Sequence, residues 1–337
     1  MKPRFAGQPA RRGPLVVVLI LGLGLALAPI AFQMFDRAPK GGDMIDAFEP
    51  YMTPAKITQF EGYMAEMRVA RTEVDKKVRP DLQSALGLDA AAIDARFVPL
   101  AGFDRQWPAL DADMSDMLVK MRRNIGNYEA VAALPPFPLF PWFFVVPGLM
   151  IAGLAAWGLR AARKGRASRA AVIAIVVFGL GVVAAPAIFQ MFDRAPKGAD
   201  MIDDFRSLMT DKKLRTIQGY FVTLGAGEGN VRTAALPALE VAAPAGQLPA
   251  PASERFPAVT RWSEDWPTIF REFAPMIGVM SGNVANFAAV DALPPFWMFP
   301  WFFVIPGLII AGAGVVAGFP RRADDTGTMT EHTTKET

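Results

Sequence analysis

The chain has 337 residues, 52% of them hydrophobic and none of them cysteine. That composition excludes disulfide staples, thiolate catalysis and cysteine-based metal sites. The formal net charge is only +3, and the basic residues that carry it are concentrated in two acid-free stretches, so nucleic-acid binding is not needed to explain them. The single histidine, His332, lies in a polar tail and reads as a solvated residue rather than a base or ligand.

Residues 1–13 carry Lys2, Arg4, Arg11 and Arg12 without an acid. They precede the first of four uncharged apolar runs, at 14–35, 137–159, 170–192 and 296–319. About 20 apolar residues suffice to cross a hydrocarbon core as a helix, so four spans are predicted. Basic residues before an apolar run also describe a signal peptide, but the internal equivalent at 170–192 favours an uncleaved anchor. Gly22 and Gly24 in the first run recur as Gly179 and Gly181. Gly24 and Ala28, like Gly181 and Ala185, stand four apart, a spacing that lets membrane helices approach closely. Pro29 and Pro186 predict a bend as each helix leaves the membrane.

Residues 28–46, APIAFQMFDRAPKGGDMID, recur at 185–203 as APAIFQMFDRAPKGADMID, with 16 of 19 positions identical at an offset of 157. The chain therefore reads as a tandem duplication. Asp36, Arg37 and Lys40, with Asp193, Arg194 and Lys197, are the strongest polar candidates. They are expected in a Pro-Lys-Gly turn at the membrane exit, as an anchor or as a docking point for a partner or lipid headgroup. No histidine, cysteine or acid cluster accompanies them, so a catalytic role is not expected.

The region 36–136 and its counterpart 193–295 are expected to be helical domains. Met44, Phe48 and Met52 fall at helical spacing, as do Met201, Phe205 and Met209. Thr53-Pro54 predicts a capped helix start, followed by a stripe of Ile57, Phe60, Met64 and Met67. The middles then diverge: the first copy continues as a charged helix through Lys76, Lys77 and Arg79, whereas residues 234–253 form an Ala/Pro-rich tract that reads as linker. Similarity returns at Trp107-Pro108 and Trp266-Pro267, now at an offset of 159. A long helix is predicted after each, with stripes of Met114, Met117, Leu118, Met121, Ile125 and Tyr128, and of Phe270, Phe273, Ile277, Met280, Val284 and Phe287. Such stripes suit a core, or an adaptable apolar groove. Asn124 and Asn127, repeated as Asn283 and Asn286, fit a polar face or a buried pair.

Each half closes on a Pro-Pro and an aromatic cluster, ALPPFPLFPWFF at 133–144 and ALPPFWMFPWFF at 292–303. Trp142, Phe143, Trp301 and Phe302 are expected to form an interfacial aromatic belt. Residues 160–169 form a basic loop with Arg160, Arg163, Lys164, Arg166 and Arg169 and no acid. Residues 36–138 hold 13 basic against 16 acidic residues, and 193–297 hold 10 against 12. By the positive-inside rule both termini, the basic loop and a disordered tail at 320–337 are cytoplasmic, and the two helical regions lie outside the cell membrane.

The expected fold is an all-α membrane protein with four transmembrane helices in two tandem parallel repeats, each carrying a helical extracytoplasmic domain. The Phe-Asp-Arg-Ala-Pro-x-Gly stretch, at 35–41 and 192–198, resembles a motif that follows the first span in an uncharacterised family of actinobacterial-type multi-pass membrane proteins. The resemblance implies this layout and no activity. No phosphate-binding loop, dinucleotide fingerprint or HExxH motif occurs, and the spans contain no ionisable residue. The expectation is a non-catalytic envelope protein without cofactor or nucleic-acid partner. Its helical domains would bind a partner protein or apolar ligand beside the lipid bilayer. An oligomeric pore or transport subunit is the runner-up.

Overall fold

The structure is a computed structural model, and it describes residues 11–165, 169–242 and 251–318. Lys2, Arg4, Arg166, His332, the tail at 320–337 and the middle of the Ala/Pro-rich tract lie outside the described residues. All regular structure among the described residues is helical, and it falls into two units.

The chain runs through α1 (Arg12–Ala31), α2 (Met34–Phe48), α3 (Pro54–Glu73), a π-helical turn at Val74–Val78, α4 (Arg79–Leu86), α5 (Ala90–Arg96), α6 (Val98–Arg123), α7 (Ile125–Ala132) and α8 (Phe140–Arg163). It then repeats the order with α9 (Arg169–Ile188), α10 (Met191–Phe205), α11 (Asp211–Asn230), a π-helical turn at Val231–Ala235, α12 (Leu236–Ala242), α13 (Ala252–Arg255), α14 (Pro257–Gly282), α15 (Val284–Asp291) and α16 (Phe299–Gly318).

The first unit is the described part of residues 1–34, 139–191 and 298–337, and contains α1, α8, α9 and α16. Four helices here are long and apolar enough to cross a membrane. Helices suit such a crossing, because a backbone in hydrocarbon must satisfy its own hydrogen bonds. Leu15 of α1 meets Gly158 of α8, while Gly22 meets Gly148 and Ala152, so the two helices run antiparallel. A Cβ on Gly22 would lie 2.8 Å from the Ala152 nitrogen, and one on Gly148 would lie 2.6 Å from the Ala26 nitrogen. Gly179 and Gly307 bring α9 and α16 together in the same way. The close approach thus runs through Gly22 and Ala26 rather than the Gly24–Ala28 stripe, since a Cβ on Gly24 or Gly181 would meet nothing within 4 Å. The periodicity of α1 puts Gly22 and Gly24 on different faces, and only the packing shows which face is shared.

The first span ends at Ala31, before the expected Phe35. Phe32 donates to Ala28 O, Gln33 donates to Ile30 O, and Gln33 takes a left-handed φ of 54°. Gln190 does the same at 53°. Few non-glycine residues adopt that conformation.

The second unit, residues 35–138 and 192–297, is one compact body containing both helical regions. The expected Pro-Lys-Gly turn is instead helix: Pro39 and Pro196 lie inside α2 and α10. The apolar residues that follow, Met44, Ile45 and Phe48, need the helix to face one way. Thr53 caps α3 by accepting from Lys56 N, and Thr210 caps α11 by accepting from Lys213 N. Gly87, at φ 62°, ends α4 as a left-handed cap. The Ala/Pro-rich tract is not all linker, because 236–242 are helical with Leu239 buried. Trp107-Pro108 and Trp266-Pro267 do not start helices. They lie well inside α6 and α14, which begin nine residues earlier at Val98 and Pro257. Helices α14 and α15, bent by 45° at Asn283, are apolar enough together to pass as a further span. Their Phe273, Met276, Ile277, Met280 and Phe287 are buried in the core of this unit.

Candidate functional site

The two halves of the second unit interlock through residues at equivalent positions. Phe103 stacks on Trp262, its own counterpart at the offset of 159, with ring centroids 5.5 Å apart. Lys56 of α3 pairs with Glu272 of α14, and its counterpart Lys213 of α11 pairs with Asp113 of α6 at 2.6 Å. Tyr220 also donates to Asp113, at 2.8 Å, and burial followed by that carboxylate pushes the phenol up to about 12. Glu73, at the end of α3, accepts from the backbone nitrogens of Ala258 and Val259 at 2.8 and 3.0 Å. A buried carboxylate from one half therefore caps the long helix of the other.

The exit residues belong to this interlock. Asp36 pairs with Lys40, and Asp193 with Lys197, each at 2.7 Å and one helical turn apart. Arg37 donates to Ala292 O at 2.8 Å, and Arg194 donates to Ala133 O at 2.6 Å. Ala292 and Ala133 are the C-terminal caps of α15 and α7, where exposed carbonyls favour a cation. The asparagines form part-buried pairs in which Asn124 and Asn283 are buried: Asn127 donates to Asn124 Oδ1 at 2.8 Å and Asn286 to Asn283 Oδ1 at 3.0 Å. Asn124 additionally donates to Asp204 at 2.7 Å, and Arg123 pairs with the same carboxylate. The Arg123 hydrogen bond holds the Asp204 carboxyl below its ordinary range. Position 47, the counterpart of Asp204, is alanine, so this link exists on one side only.

The first half also carries a charged cluster without a counterpart. Arg79 bridges Asp94 at 2.8 Å and Asp104 at 2.6 Å, with Arg71 3.8 Å from Asp104. Burial outweighs the two arginines and raises the Asp104 carboxyl.

In the first unit, Trp142 and Trp301 are exposed, at 51% and 47%. Phe143 and Phe302 are half-buried and pair with the other half: Phe143 with Phe189 at 5.5 Å, Phe302 with Phe32 at 6.0 Å. Phe144 and Phe303, counterparts of one another, meet at 4.4 Å.

The site that the stripes build is a small pocket inside the second unit, with a cavity of about 50 Å³. Its walls are Met44, Ile45, Phe48 and Met52 from the first half, and Met201, Ile202, Phe205 and Met209 at the equivalent positions of the second. Met121 and Tyr128 face their counterparts Met280 and Phe287, and Met276 completes the lining. All seven methionines are buried. The only side-chain oxygen in the lining, Tyr128 Oη, is committed to Ile45 O at 2.7 Å. Burial, with Glu49 and Asp46 nearby, pushes this phenol up to about 12, so it stays neutral. No charged side chain contributes to the walls. The stripes announced these residues individually, but their convergence on one pocket was not visible from spacing.

The chain matches no model of a known protein family, and no curated protein at a significant level of similarity.

Proposed function

We propose that the chain is a non-catalytic multi-pass membrane protein whose two helical domains lie outside the cytoplasm and act together as one binding module, an accessory to assembly or export. The module takes an apolar or soft, polarisable ligand, or an apolar segment of a partner, into the methionine-lined pocket. The observation that carries this reading is the lining itself: equivalent residues from both halves meet around one cavity without a free polar group. Methionine walls adapt to a guest because the side chain is unbranched and the thioether polarisable. The glycine contacts and the Phe144–Phe303 pair close interfaces within the apolar bundle, so a pore, the second reading, would have to form between chains.

Filling the pocket tests the reading. A Met44→Trp/Met201→Trp variant purified in mild detergent should lose a ligand that native mass spectrometry finds on the parent chain. A parent chain that carries nothing and binds neither hydrocarbon nor soft-ion probes would overturn it. Orientation is tested separately, since the chain has no cysteine of its own. Cysteine placed at the exposed Ser84 or Ser253 should react with an impermeant maleimide in intact cells, and at Ser168 it should not. The reverse pattern would invert the topology.

A further inference from the structure

We propose that the pocket is a thioether site for a soft monovalent metal ion, copper(I) or its analogue silver(I). The inference rests on the reading that this pocket is the binding site, and it names the ligand class.

The donor set is the first argument. Seven of the chain's 17 methionines line one cavity, from four helices and the two segments that follow α2 and α10. Met44 and Met201 are equivalent, as are Met121 and Met280, so both halves supply thioether side chains to the lining at matching positions. Neutral thioethers give little to hard ions such as magnesium or calcium, and they favour soft copper(I) over borderline zinc. Besides the ten methionines elsewhere in the chain, the sequence offers only His332 as a soft or borderline donor, since there is no cysteine.

Size is the second argument. The cavity of about 50 Å³ is far below the roughly 150 Å³ that admits benzene in an engineered apolar core. A ring or an acyl chain would have to displace several side chains, whereas an ion fits between sulfurs that rotate by small amounts.

Charge is the third. Isolated charge is costly in an apolar site, so a cation needs both donors and a favourable field. The tetrapeptides Asp43-Met44-Ile45-Asp46 and Asp200-Met201-Ile202-Asp203 place the methionines on the buried side of α2 and α10 and the four carboxylates on the exposed side. Asp43, Asp46 and Asp200 put negative charge on the outer face of both helices, while Asp203 is paired with Arg206 at 2.8 Å.

The test compares four proteins in detergent: the parent chain, a Met44→Leu/Met121→Leu/Met201→Leu/Met280→Leu variant, a control with Met64→Leu/Met67→Leu elsewhere in the same core, and the pocket-filling tryptophan variant. Leucine preserves volume and apolarity, so the fold and any hydrocarbon binding survive. Silver(I) is titrated by calorimetry, and copper(I) anaerobically against a chromophoric copper(I) chelator. The expected result is one ion per chain, binding weakened at least about tenfold in the four-leucine variant, and unchanged binding in the control, with zinc excluded. Silver affinity equal in the four-leucine variant and the parent overturns the inference. So does a parent that binds a fluorescent polyene fatty acid but no silver, which would leave the apolar pocket reading standing. A parent that binds neither probe ends both.

Discussion

Arg37 reaches from the first half of the chain to the carbonyl oxygen of Ala292 in the second, 2.8 Å away, and Arg194 returns the contact to Ala133 at 2.6 Å. The stretch that matches best between the two halves, 28–46 and 185–203, is thus a clamp between them. Each arginine sits on the C-terminal end of the other half's helix, where the last carbonyls lack partners. Substituting Arg37→Ala or Arg194→Ala should each destabilise the helical unit by about 0.5–1 kcal/mol. The double variant should cost about the sum, because the two contacts share no residue. Thermal unfolding in mild detergent, followed by amide hydrogen exchange at α7 and α15, measures this. A double variant as stable as the parent would show that the clamp is incidental.

Gly22 and Gly24 make opposite predictions although they sit two residues apart. Gly22→Ala forces a Cβ against backbone atoms of α8 and should lower the stability of the bundle by about 1–3 kcal/mol. Gly24→Ala places its Cβ in open space and should leave stability unchanged or slightly raised. Equal effects in a detergent unfolding assay would contradict the assigned face.

Gln33 and Gln190 hold left-handed backbone at φ 54° and 53°. A side chain there is strained and a glycine is not. Gln33→Gly is expected to stabilise by roughly 0.5 kcal/mol, even after the extra unfolded-state freedom of glycine is offset. Gln33→Val, β-branched at the same φ, should destabilise. The pair of melting shifts, opposite in sign, is the observable.

Acid should loosen the two halves on one side first. The Asp204 carboxyl is held below its ordinary 3.8 by Arg123 and also bonded by Asn124. A depressed pKa means that its contribution to stability is present above the ordinary value and is lost as pH falls through the lower folded value. Asp204→Asn should therefore be less stable than the parent at neutral pH and lose less stability on acidification. Hydrogen exchange around Asn124 at neutral pH and near pH 3 checks both parts, and an identical acid response would refute the link.

The amino-acid pattern alone marked the four candidate spans, the matched stretches and the helix start at Thr53. These rest on runs and caps contained within about twenty residues, and hydrophobicity and local hydrogen bonding decide them without knowledge of distant contacts. The same local reading misplaced the exit turn, because Pro39 and Gly41 argue for a turn until Met44, Ile45 and Phe48 find a shared face to cover. It also named Gly24 where Gly22 makes the contact, since a helical stripe shows spacing but not its partner. Only the tertiary structure decided that the two halves form one unit, that their arginines cross, and that seven methionines dispersed between positions 44 and 280 surround one cavity. Methionine is individually unremarkable in a helix and carries no local signal of what it will face. Its meaning here comes from convergence, which packing sets and sequence spacing does not.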